Sequence, residues 1–379
     1  MVLLRPDLFR HDTTQVRWCR LRLLLMVSLL GAAAGCPARA DWVQTYIWKA
    51  QVGESSVVIA PSDANRVYAL TGSQPWLLRS DDRGATWRRS PDIAANSGIY
   101  CIAVDPSDAD TLYVSVSSSV APGLFKSVDG GLSFIRLTGA IFHPAPNQVL
   151  VDPKDPRVLY AARPPVCAAS CSPGGVVKSI DAGATWSDTA RTDNISFSLA
   201  IDPNDSQILY DTGYDVPLNR QTGGLYRTTD GGSTWPTMFE GLSRLDYVTV
   251  DRRSRVYAIG AVQFETPLLR SNSHGDRWER VSFNVPPPDP GRVGEGPWPD
   301  LTGVAFDPRR NETLYVSATT HGILISFDDG ATWQTLGNLP DHAVDAFAVT
   351  AEGVVIAATR TGLFQYVPPP PRRRASAKP

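Results

Sequence analysis

The chain is poor in the residues that most enzymes use for chemistry. Five histidines are scattered over 379 residues, and no two of them stand at metal-pair spacing. No Gly-x-Ser-x-Gly, His-Glu-x-x-His, P-loop or Gly-x-Gly-x-x-Gly motif occurs. Those gaps argue against serine hydrolases, zinc peptidases, NTPases and dinucleotide enzymes, and no metal or cofactor is expected. There is no basic excess either, since 36 Lys and Arg face 38 Asp and Glu. Removing residues 1–40 takes away six basic and two acidic groups, leaving 30 against 36; without the tail 368–379 the balance is 26 against 36. A body that acidic argues against nucleic acid as a partner.

What is abundant is turn chemistry, with 30 Gly and 31 Pro. That suits an all-β domain and disfavours long helices. A short motif, Ser-x-Asp-x-Gly-x-Thr-Trp, recurs six times. It begins at Ser80, Ser127, Ser179, Thr228, Ser271 and Ser326. Its Asp suits a local acceptor for turn N–H groups, and its Gly suits a positive φ. The Trp has a ring to bury beneath the hairpin. In the fifth copy Ser273 and Arg277 replace the Asp and the Thr. Identical turns repeated around a fold read as scaffold, so no catalytic role falls to their carboxylates.

A longer repeat surrounds this motif. Copies such as VLVDPKDPRVLYA from Val149 and LAIDPNDSQILYD from Leu199 give an alternating strand, an Asp-Pro turn and a second strand with a Tyr. A third strand, the short motif and a fourth strand follow. Four strands at a period of roughly 40–50 residues predict propeller blades. Seven units are counted; six blades plus a stray hairpin is the alternative. The seventh lacks a fourth strand, and Trp42–Ile47 is expected to supply it and close the ring. The expected domains are an export leader at 1–40, a seven-bladed all-β propeller at 41–367, and a disordered Pro/Arg tail at 368–379.

The short motif resembles the Asp-box, or bacterial neuraminidase repeat. Proteins with such boxes include sialidases, xyloglucan hydrolases, sortilin-type receptors and photosystem II assembly factors. The resemblance covers nearly all of 42–367 and implies the propeller fold. Its functions diverge, because fold does not choose among them. Sialidases carry an Arg-Ile-Pro segment, and none occurs here. Box-containing xyloglucan hydrolases use a cleft between two propellers, whereas this chain has length for one.

The leader has Arg17, Arg20 and Arg22 beside an apolar run ending at Leu30, too short for a stable span. Two processing sites compete: cleavage after Ala40, and lipidation of Cys36 in the lipobox-like segment Ala33–Cys36. Either places the mature domain outside the cytoplasm: periplasmic, extracellular or membrane-anchored through Cys36 in a bacterium. Cys167 and Cys171 are expected to form a disulfide in an oxidising compartment, with a metal site the weaker alternative. Cys101 reads as a buried thiol starting a strand.

In such a ring the Asp-Pro turns and boxes share one face. The opposite face surrounds the channel mouth and is where a protein or carbohydrate ligand is expected. Residues with binding chemistry in its loops are Tyr100, His143, Asn147, Asp193, Tyr214, Asp215, Tyr247, Trp298 and His342. Trp298, flanked by acids, suits stacking on a sugar ring or packing of its own Pro-rich loop. Catalytic candidates for glycoside hydrolysis are Asp246, Glu295, Asp300 and Asp345, because that chemistry needs two carboxylates. Without an enzyme motif, the sequence favours a monomeric, non-catalytic binding or assembly propeller. A glycoside hydrolase is the alternative.

Overall fold

The computed structural model describes residues 41–48, 55–71, 74–95, 97–118, 120–137, 145–167, 171–172, 174–192, 194–215, 223–242, 244–261, 266–285 and 301–368. Seven four-stranded antiparallel sheets hold nearly all of them, and no helix occurs among the described residues. Blades one to six run Ser55–Arg89, Ser97–Arg136, Gln148–Thr192, Asn194–Leu242, Arg244–Val281 and Leu301–Thr335. In each, strands follow one another across the sheet in chain order, from the inner strand to the outer. Blade seven takes three strands from Val344–Tyr366 and its outer strand from Trp42–Ile47. The inner strands pack on one another in sequence, and blade seven's meets blade one's, so the ring closes.

Closure is antiparallel, with Trp42 opposite Tyr366 and Ile47 opposite Gly362. The Trp42 indole N–H donates to the Leu336 carbonyl at 2.6 Å, and that of Trp48 to the Thr359 carbonyl at 3.0 Å. Buried donors are therefore satisfied across the joint between the two ends of the propeller. The chain forms seven blades rather than six and a hairpin.

The core is not central but divided among the seams. Seven apolar clusters lie between adjacent blades. Second strands such as Leu112–Val116 and Val355–Thr359 are buried throughout, because neighbouring blades cover both faces of each sheet. The second strands of blades one to six each carry a Tyr at the seam. Tyr113, Tyr160 and Tyr210 donate their hydroxyls to the carbonyls of Ala182, Gly231 and His274 in the next blade. Tyr68 does the same to Ala109 at 2.7 Å.

The six repeated turns share one hydrogen-bond pattern. In blade one the Asp82 carboxylate accepts from the Thr86 N–H at 2.8 Å and the Thr86 hydroxyl at 2.6 Å. The Ser80 hydroxyl donates to Asp82 and accepts from the Gly84 N–H at 2.7 Å. Where the fifth turn has Ser273, its hydroxyl accepts from the Arg277 N–H at 2.9 Å. The hydroxyl of Ser133 holds the Asp129 carboxyl down to about 2. Those of Thr228 and Thr234 do the same for Asp230.

The turn backbone docks on the Asp-Pro turn of its own blade, as from Ala182 N–H to Arg157 carbonyl and from Gly231 N–H to Gln207 carbonyl. Of the turn tryptophans, Trp333 is buried, whereas Trp87, Trp186, Trp235 and Trp278 are half-buried. Cys101 is buried, as expected, but lies inside the strand Ser97–Val104 rather than at its start. Sequence alternation missed the four strand residues before it, because a bulge interrupts the period there.

Candidate functional site

That bulge is the local device that builds the channel mouth. On the inner strands of blades two, four, five, six and seven the pairing register shifts once. The residue at the shift is Tyr100, Phe197, Asp246, Thr302 or Asp345. Each stands five residues before the position of the Asp in its Asp-Pro turn, where blade seven has Thr350. In blade three the same offset gives Asn147, beside the paired Gln148. A bulge inserts one residue and re-aims its side chain. Here each of the five bulges puts one side chain against the central cavity.

All six line one cavity of about 860 Å³, together with Tyr247, Phe347 and inner-strand backbone. Around the ring the sequence is aromatic, amide, aromatic, acid, hydroxyl, acid. Tyr100 is 38% exposed, and its hydroxyl meets Ser117 Oγ at 3.0 Å. Asn147 donates to the Ser196 carbonyl at 3.1 Å. The Thr302 hydroxyl lies 2.7 Å from Ser317 Oγ and 3.0 Å from the Val344 carbonyl, tying blade six to blade seven. Asp246 and Asp345 are both exposed. Tyr247 points its hydroxyl at the Val304 carbonyl, 3.1 Å away, and burial pushes its pKa up. Its hydroxyl serves the seam.

Five sequence candidates therefore converge: Tyr100, Asn147, Asp246, Tyr247 and Asp345. They were expected in loops, but Tyr100, Asp246, Tyr247 and Asp345 lie on inner strands, which extend farther toward the mouth than alternation suggested. His342 lies elsewhere. It lines another cavity, of about 930 Å³, with Trp42, Gln44, Thr320, Asp341 and Arg360. His143, Asp193, Glu295, Trp298 and Asp300 lie outside the described residues, as do Cys36 and the tail beyond 368. The backbone of Tyr214–Asp215 ends the second strand of blade four. Cys167 and Cys171 face each other as paired residues of a two-stranded ribbon. Among the described residues no group of three or more His, Cys, Asp or Glu is placed to hold a metal ion. Phe197 and Thr302 were missed, although the fixed offset of five from the Asp-Pro turn pointed to both.

A ring of this kind can be set against known propellers. The architecture is shared. A xyloglucanase structure from Xanthomonas campestris superposes with a TM-score of 0.61 at 20% identity, covering 86% of this chain and 53% of that one. YCF48 bound to D1 peptide superposes at 0.62 with 15% identity, covering 89% and 97%. Among curated sequences, a xyloglucanase of Acetivibrio thermocellus is 25% identical over 326 residues, spanning 75% of this chain and 32% of that protein. A xyloglucanase of Hypocrea jecorina is 26% identical over 223 residues, spanning 48% and 26%. The chain thus spans about a third or less of the length of these curated relatives. No family model matches it.

Proposed function

We propose that this chain is an exported propeller that takes a glycan chain at its channel mouth. The ring of residues at the fixed offset carries this reading. Sugar recognition calls for aromatic faces under C–H surfaces and polar groups that fix the hydroxyls. Tyr100 and Phe197 supply the faces; Asn147, Thr302, Asp246 and Asp345 supply the polar groups. The resemblance of the curated relatives, all xyloglucanases, supports a neutral β-glucan or xyloglucan as the ligand class. The repeated turns are read as Asp-boxes, and therefore as scaffold. Residues 1–40 are read as a leader, processed at Cys36 or after Ala40, and Cys167–Cys171 as a disulfide of the exported domain.

A second reading is glycoside hydrolysis. It is favoured by two exposed carboxylates, Asp246 and Asp345, in one cavity, since one must act as acid and the other as base or nucleophile. The test is calorimetric titration of purified 41–379 with xyloglucan, cello- and sialo-oligosaccharides, with reducing-sugar release followed in parallel. Binding weakened about tenfold or more by Phe197→Ala is the expected result. Sugar release abolished by Asp246→Asn or Asp345→Asn establishes the hydrolase. Absence of binding to every glycan removes the proposal and leaves protein partners to be sought.

A further inference from the structure

The seam between blades three and four breaks the repeat in its core. Six residues before the Asp-Pro position stand Ile99, Pro146, Leu245, Leu301 and Val344, all buried and apolar. Blade four has Ser196 there, also fully buried. The second strand shows the same break. Opposite the position three before the turn stand Ala69, Val114, Ala161, Ala258, Val316 and Ala357. Blade four has Asp211, with no exposure at all. Among the described residues the apolar cluster of this seam is the smallest, with five buried members against seven to eleven elsewhere.

The exceptions satisfy one another. The Ser196 hydroxyl donates to one oxygen of Asp211. Arg191, buried at the end of blade three's outer strand, donates Nε to the other oxygen at 2.9 Å. Its guanidinium lies 3.2 Å from the Tyr226 ring centroid. Opposite Ser196 is Gly213, whose hypothetical Cβ would sit 2.0 Å from the Ile195 carbonyl oxygen, so only glycine admits this approach.

A buried ion pair is a poor way to stabilise a core; well-packed apolar residues of similar volume do as well or better. Six blades use that solution. What distinguishes this trio is its neighbour: Ser196 immediately precedes Phe197, the bulged residue of the ring, and its carbonyl accepts from Asn147. We propose that Arg191, Asp211 and Ser196 form a positioning network that sets the Asn147 and Phe197 half of the channel mouth, and that ligand affinity depends on it. The geometric part stands on the seam itself; the affinity part rests on the glycan reading above. Local rules broken without a gain in packing mark functional sites.

The test restores the apolar pattern of the other blades with Ser196→Ile and Asp211→Val, and replaces Arg191, which would lose its carboxylate, with Arg191→Leu. The expected protein melts at or above the wild-type temperature. Its crystal structure has Phe197 and Asn147 displaced, and its affinity for a xyloglucan oligosaccharide falls about tenfold. Should the triple variant fail to fold, Ser196→Ala, which removes one oxygen, has the same two readouts. Phe197 and Asn147 superposing on their wild-type positions would overturn the proposal, as would displacement with unchanged affinity. If the wild type binds no oligosaccharide, the glycan reading falls, while the crystal structure still decides whether the network positions the ring.

Discussion

At the scale of single residues, the repeated turns ask for more than one glycine. Both central positions take positive φ: Arg83 and Gly84, Gly130 and Gly131, Ala182 and Gly183, and so on round the ring. An L-residue in the first of these pays a steric penalty that glycine escapes. Ala182→Gly is therefore expected to raise stability by up to about 1 kcal/mol, as blades two and four already have glycine there. Urea unfolding measures it. The seam tyrosines offer a matched pair. Tyr160 loses a hydrogen bond to the Gly231 carbonyl on mutation to Phe, costing about 1 kcal/mol. Tyr257 is equally buried, but its hydroxyl has no hydrogen-bond partner among the described residues, so Tyr257→Phe is expected to be neutral or stabilising.

The turn carboxylates set a pH dependence of one sign. Asp129 and Asp230 titrate near 2 when folded, against 3.8 for the free group. A depressed folded pKa means the contribution is full above about 3.8 and is lost as pH falls through about 2. Melting temperature should drop across that window. Asp230→Asn should flatten the drop; an unchanged pH profile would refute a role for the turn in acid stability.

At the scale of strands, the closing element is the most exposed to test. Trp42 is buried against blade six and tied to Leu336 through its indole N–H. Truncation of such a side chain costs about 3–5 kcal/mol. Trp42→Ala should lower the melting temperature of the whole ring, and deletion of Trp42–Ile47 should lower it further in a single transition. A separate early transition for blade seven would contradict cooperative closure.

Strands are also where the sequence was easiest and hardest to read. The blades and their closure were legible, because turn residues punctuate apolar alternation at regular spacing. The channel mouth was legible only in part. A bulge adds one residue to a strand of period two, so Asp246 and Asp345 looked like loop residues, and Phe197 was passed over. Counting from the Asp-Pro turn rather than by alternation places all of them. Asp211 gave no signal, since an isolated acid in a strand is distinguishable from a solvent-facing one only after its sheet is sandwiched between neighbours.

At the scale of the whole molecule, seven separate cores share one rigid ring, so the channel mouth is assembled from side chains as far apart in sequence as Tyr100 and Asp345. Each inner strand is held by two seams, which gives the mouth a fixed geometry before any ligand arrives. Preorganisation of that kind lowers the ordering cost of binding.

The joint between Trp42–Ile47 and Gly362–Tyr366 also has a bearing on time. The first described strand of the ring pairs with its last, so a chain emerging from the ribosome cannot complete the ring until synthesis reaches Tyr366. Contacts at such separation slow folding, because the loop must close before any contact repays it. Until then the edge of blade seven stays open and Trp42 unburied. On the exported reading proposed above, that delay suits a chain threaded unfolded through a narrow pore: the bolt that locks the ring is thrown only when the whole of the ring has been made.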